Sequence, residues 1–140
     1  TVNIYHHCGV QNFFKVGATF INIVNRDYCK SYVIMLPNQK YPCHFHKIKS
    51  ETFYVLYGIL NVKLNNKLYI LQAGDMLNVE RGEDHMFWSE GEVVFEEIST
   101  LYIPNDSFYT DPDIREVTYA QRRTTISPAE WKEICKQWKG

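Results

Sequence analysis

The sequence predicts an all-β domain, a sandwich or barrel of short strands that ends in one C-terminal α-helix. Short runs rich in Val, Ile, Tyr and Phe recur between positions 17 and 100, separated by turn residues. Helical spacing of apolar residues is clear only near the C-terminus. Strands do not alternate with helices, which excludes a βαβ fold and leaves a sandwich or barrel.

In order, the strand-like runs are "ATFINIVN", "KSYVIMLP", "YPCHFH", "ETFYVLYG", "ILNVKL", "KLYILQ", "DMLNVE", "HMFWSE" and "EVVFEEIST". "LNNKL" centres on Asn65-Asn66, a pair suited to a tight hairpin because Asn tolerates positive φ. Gly74-Asp75 marks another turn. Upstream, His6 and His7 are adjacent and face opposite ways on a strand, so they are read as structural or surface. Positions 101–125 form a turn-rich acidic segment with a possible strand, "REVTY". The helix is expected over 127–138: Ser127 caps it, Pro128 suits its first position, and Glu130 completes a capping box. Trp131, Ile134, Cys135 and Trp138 form its apolar stripe, expected to pack on the barrel.

A chain of 140 residues is one domain. A net charge of −1 removes the electrostatic argument for nucleic acid or an anionic membrane as partner. No apolar run reaches the ~18 residues of a membrane span. Cys8, Cys29, Cys43 and Cys135 are scattered without a CxxC pair, so reduced thiols and a cytoplasmic location are expected. Two strands are apolar on both faces: Tyr32, Ile34 and Leu36 oppose Val33 and Met35, and Phe53 and Val55 oppose Tyr54 and Leu56. The outer face needs a cover, and a homodimer is the expected one. Thr1 in place of Met fits either trimming or a domain cut from a longer polypeptide.

The chemistry concentrates in two segments. In "HFHKIKSETFYVLYG", His44 and His46 share one strand face and Glu51 begins the next strand. In "GDMLNVERGEDH", His85 supplies a third imidazole. Three neutral nitrogens and one carboxylate suit one divalent ion, Mn, Fe, Co, Ni or Zn, and an octahedral ion would keep two positions open. The second acidic cluster, "EVVFEEIS", is ambiguous in its alternation. Val93, Phe95 and Glu97 form one face, and Val94, Glu96 and Ile98 the other.

These two segments resemble the paired motifs of the cupin superfamily, G-x5-H-x-H-x3,4-E-x6-G and G-x5-P-x-G-x2-H-x3-N. His44, His46, Glu51 and Gly58 fall on the first, and Gly74, Gly82 and His85 on the second. Asn38 stands for the first glycine, Glu80 for the proline and Ser89 for the final asparagine. The resemblance implies a single jelly-roll β-barrel with His44, His46, Glu51 and His85 as metal ligands. Across about 4–125, "INIVNRDYCKSYVIMLPNQKYPCHFHKIKSETFYVLYG", "FEEIST" and "NDSFYTDPDI" are similar to the D-lyxose isomerase-like cupins. The likeness is to the type appended to N-acetylneuraminate (sialic acid) synthases.

That resemblance implies aldose–ketose isomerisation, a proton moving between C1 and C2 of a sugar held on the metal. It also selects Glu97 as the inward acid/base, with Glu96 the alternative; apart from the resemblance, Glu51 could serve as a base if only loosely coordinated. A non-catalytic sugar-binding or regulatory domain serving a sialic acid synthase, with a synthase domain in the same longer chain as a candidate partner, is the competing reading, and an Fe-dependent dioxygenase the third. Lys40 shares strand parity with His44 and could reach a sugar hydroxyl or phosphate, the alternative being a solvated rim lysine. Phe53, Phe87 and Tyr57 are possible cavity walls or ordinary core. Asp106, Ser107, Tyr109 and Asp111 could form a lid, a dimer contact or simply a turn.

Overall fold

The computed structural model of the chain describes residues 3–7, 14–125 and 127–137. Two antiparallel sheets face each other. The larger is built from β1 (Asn3–His7), β2 (Thr19–Asn25), β3 (Tyr28–Met35), β5 (Glu51–Tyr57), β8 (Met76–Val79), β10 (Val93–Thr100) and β12 (Arg123–Thr125), in the order β12-β1-β2-β3-β10-β5-β8. The smaller takes β4 (Lys40–His46), β6 (Ile59–Leu64), β7 (Lys67–Gln72), β9 (His85–Trp88) and β11 (Ser107–Tyr109), in the order β11-β4-β9-β6-β7. Consecutive strands repeatedly cross between sheets, so the two sheets share one interior.

That interior changes character along its length. The register of β3, β10 and β5 stacks Val33, Phe95 and Val55 in one row, then Ser31, Glu97 and Phe53, then Cys29, Ser99 and Glu51. One end is therefore apolar and the other polar. At the junction Phe53, Phe87 and Phe95 meet edge to face, with centroids 5.3–5.5 Å apart. All three are fully buried, an arrangement that adds quadrupole attraction to burial. Tyr54 and Leu56 face outward and are exposed.

Turn chemistry matches the sequence closely. Asn65 and Asn66 both take positive φ, 45° and 68°, as a two-residue hairpin turn between β6 and β7 demands. Asn38, in the place of a glycine, sits at φ 66°. Gly58 needs both its φ of 79° and its missing side chain, because a Cβ there would lie 2.1 Å from the carbonyl oxygen of Glu92.

The segment after the barrel departs from expectation. "REVTY" is not a strand: α1 (Pro112–Arg115) and α2 (Tyr119–Arg122) flank it, and the strand comes later, at β12. Local caps outweigh the β propensity of Val117 and Tyr119. The Asp111 carboxylate accepts the Asp113 N–H, and Thr118 exchanges hydrogen bonds with Gln121. Ser107–Tyr109, expected as turn, is strand β11 on the edge of β4. The last helix, α3 (Pro128–Gln137), has its capping box: the Glu130 N–H donates to Ser127 Oγ and the Ser127 N–H to Glu130 Oε2. Cys135 is exposed; the side chains of Trp131 and Ile134, and all of Trp138, lie outside the described residues. No helix among the described residues is long and apolar enough to cross a membrane.

Candidate metal centre

The polar end of the interior holds His44, His46, Glu51 and His85, whose ligand atoms all lie within 4.8 Å of one another. The three imidazoles come from the smaller sheet and the carboxylate from the larger, so the cluster ties the two sheets together. A β-bulge makes this possible. Tyr41 pairs with Phe87 and His44 with His85, so β4 uses three steps where β9 uses two. The extra residue falls at Pro42-Cys43, where proline's missing N–H costs no ladder bond. Both Tyr41 and His44 consequently face inward, and strict alternation resumes to bring in His46.

Every imidazole is oriented by a backbone carbonyl. The Nδ1–H of His44 donates to the Pro42 oxygen at 2.8 Å, that of His46 to Asp106 at 2.9 Å, and that of His85 to Glu83 at 2.9 Å. This fixes the tautomer and leaves each Nε2 lone pair free to bind a cation. The Nε2 atoms of His46 and His85 are buried without a hydrogen-bond partner. They lie 3.5 and 2.8 Å from the same Glu51 oxygen, Oε1. Lone pairs facing a carboxylate repel unless a cation lies between them, so the donor set fits a divalent metal. Burial first, then the neighbouring His85 and His46, push His44 well below its ordinary value of 6.5. Burial alone would raise Glu51, but the Lys49 ammonium and the two imidazoles outweigh it and hold the carboxyl well below 4.5. Both groups thus sit in the deprotonated form that a metal requires.

Beside the cluster runs a small cavity lined by Asn22, Cys29, Ser31, Lys49, Glu97, Ser99, Tyr102 and Ser107, with His44 and His46 in its wall. Its water-accessible space is about 40 Å³, room for a few waters. Lys49, only 8% exposed, bridges two carboxylates there: its ammonium is 2.8 Å from Glu51 Oε2 and 3.0 Å from Glu97 Oε1. Burial opposes that charge, but the two glutamates raise the lysine above its ordinary value. Glu97 is raised instead, by burial and by Glu51, against the pull of Lys49. The loop carrying Lys49 is held from below by Asp106, whose carboxylate accepts the N–H groups of Lys47, Ile48 and Lys49 at 3.0–3.2 Å.

The cupin-domain family model matches residues 31–101, half of the chain. This chain is a cupin. Its two sheets are the jelly roll of that family, and the buried cluster could hold the divalent metal that cupins commonly bind. No curated protein matches the sequence. Among solved structures, the cupin is similar to KdgF from a Halomonas species (16% identity, TM-score 0.58, covering 61% of this chain and 80% of that one). It is also similar to a protein assigned as a sugar phosphate isomerase from Acidithiobacillus ferrooxidans (20% identity, TM-score 0.53, 61% of each chain). A third is assigned as an oxalate decarboxylase, from Thermotoga maritima (19% identity, TM-score 0.57, 61% of this chain and 82% of that one). At these identities the likeness shows the fold alone.

Within the cupin, the ambiguous glutamates separate cleanly. Glu97 pairs across to Ser31 and Phe53 and turns into the cavity, whereas Glu96 faces outward and pairs with Lys30 at 2.7 Å. Phe87 lines the cavity; Phe53 packs behind His85 as core. Lys40 is exposed, because the Pro42-Cys43 bulge shifts its parity away from His44. Tyr57 is 59% exposed at the end of β5, where the register of β10 also slips, and is no cavity wall. Asp106 and Tyr109 are buried supports of the histidines. Lys49 is the residue that sequence reasoning missed. It shares parity with Glu51, but "KIKS" reads as a solvated connection when its two carboxylate partners are unknown.

Proposed function

We propose that this cupin is a metal-dependent sugar isomerase that uses Glu97 as its proton carrier. The observation behind this reading is the buried Lys49 ammonium shared between Glu97 and the ligand Glu51. His44, His46, Glu51 and His85 would hold the ion, which when bound polarises a carbonyl and stabilises developing oxyanion charge. Glu97 has the attributes of a carbon acid's partner: it is buried, it faces the cavity, and its carboxyl is held above 4.5, nearer the working pH. It takes the proton from the hydroxyl-bearing carbon beside the carbonyl and returns it to the former carbonyl carbon, while the hydroxyl proton passes to the former carbonyl oxygen. Lys49 keeps the carboxylate turned inward and balances its charge. Asn22, Ser31 and Ser99 line the cavity with groups suited to hydroxyls, with Tyr102 and Ser107 beside them.

The similarity of "FEEIST" and "NDSFYTDPDI" to the D-lyxose isomerase-like cupins supports the same reading, and with it service beside an N-acetylneuraminate synthase. We also propose a homodimer in which a second copy covers the exposed Tyr54, Met76 and Ile98. The test is metal analysis followed by an isomerase screen on pentoses, hexoses and N-acetylated sugars. Turnover that falls at least about 10²-fold in Glu97→Gln, with the metal retained, is expected. No turnover with any of the five metals overturns the isomerase and leaves a sugar-binding domain; full activity in Glu97→Gln overturns the assignment of the base.

A further inference from the structure

Arg122, at the end of α2, lies far from the barrel mouth in sequence yet is only 6% exposed. No carboxylate among the described residues pairs with it. Its Nη1 donates to the Val117 carbonyl oxygen, and its Nε has no hydrogen-bond partner. A buried guanidinium with so few polar contacts needs another source of compensation. That source is an aromatic face: the guanidinium carbon sits 4.7 Å from the ring centroid of Tyr109.

Tyr109 in turn bears directly on a ligand. It pairs with His44 across β11 and β4, and its ring stacks on the imidazole at 5.3 Å and 27°. Its hydroxyl is 2.9 Å from that of Tyr41, whose ring meets the His44 imidazole nearly edge-on at 5.1 Å. His44 therefore has one fixed hydrogen bond, to Pro42, and its ring is otherwise held by packing, against these two tyrosines on one side and the imidazoles of His85 and His46 at 4.1 and 4.9 Å. We propose that Arg122 is a positioning residue of the metal centre: its cation braces Tyr109 against His44, so the segment after the barrel sets the metal affinity.

This rests on the metal-site reading, and calorimetric titration with Mn²⁺ or Zn²⁺ alone tests it without reference to turnover. Arg122→Met keeps most of the side-chain volume and removes the charge; Arg122→Lys keeps a cation. The expected result is metal affinity weakened about 10-fold in Arg122→Met and largely restored in Arg122→Lys. Melting of the chelator-treated proteins is measured alongside. Wild-type affinity in Arg122→Met, whatever its melting temperature, makes the residue merely structural and overturns the proposal. Should Arg122→Met not fold, Tyr109→Leu is read instead, and unchanged affinity there overturns it equally. Where both fold, the double variant should bind no more weakly than the worse single one, and additive losses count against the brace. Where the wild-type chain binds neither ion, Fe²⁺, Co²⁺ and Ni²⁺ are titrated in turn, and failure with all five overturns the metal reading as well, before any variant is made.

Discussion

Single residues in this chain are chosen by their surroundings more than by their type. Glycine at 58, 74 and 82 takes positive φ each time, but only at 58 does the backbone also crowd the site. Gly82→Ala should cost about 1 kcal/mol, the price of a left-handed non-glycine residue. Gly58→Ala adds a clash with the Glu92 carbonyl and should cost roughly 3 kcal/mol or more. Urea denaturation of the two variants checks the contrast, and equal losses would refute it. Lys49 makes the same point for charge. Its burial is tolerable only because Glu51 and Glu97 both reach it, and truncating it would strand two carboxylates in the interior.

At the scale of elements, the decisive features are a bulge and a short edge strand. The bulge at Pro42-Cys43 sets which side chains of β4 look inward, and β11 then brings Asp106 and Tyr109 against that strand. Asp106 acts as a peg, since one carboxylate gathers three N–H groups of the β4–β5 loop while its carbonyl holds His46. Charge-assisted hydrogen bonds of this kind are strong, so Asp106→Ala should destabilise the fold by about 3 kcal/mol. Asp106→Asn, which retains acceptor capacity at one oxygen, should lose less. Thermal melts rank the two, and metal titration should show weaker binding in the alanine variant because the loop carries Lys49 towards Glu51.

For the whole molecule, the polar end of the sandwich is a source of pH sensitivity. His44 has a folded pKa depressed below 6.5, so the unfolded chain binds more protons and the stability it contributes is lost as pH falls below 6.5. Glu51 is depressed below 4.5 and continues the loss at lower pH. Glu97 has the opposite sign: its raised pKa favours the fold below 4.5, and that contribution goes as pH rises through the folded value. Chelator-treated protein should therefore melt at progressively lower temperature as pH drops below 6.5, and a bound divalent metal should raise the melting temperature at neutral pH. A flat profile in the metal-free protein would contradict the buried, neutral state of His44. The exposed Tyr54, Met76 and Ile98 lie on neighbouring strands of the larger sheet, and sedimentation should find a dimer that a charged residue at Met76 weakens.

The sequence by itself determined the all-β class, the Asn65-Asn66 hairpin, the Ser127 cap and the positions of the two histidine segments. Each is a local property: strand propensity, positive φ at asparagine, a capping box, and a spacing that alternation carries to one face. Tertiary structure decided what alternation could not. The inward choice between Glu96 and Glu97 is made by pairing with Phe53 and Ser31, because both strand faces are partly apolar and periodicity has no preference. Lys40 left the site because one bulged residue inverts parity, and "REVTY" became turn and helix because two caps outweigh a weak β preference. Lys49 entered the site because its partners, Glu51 and Glu97, converge only when the two sheets close. Burial makes an ammonium depend on such partners, and burial is a property of the assembled fold.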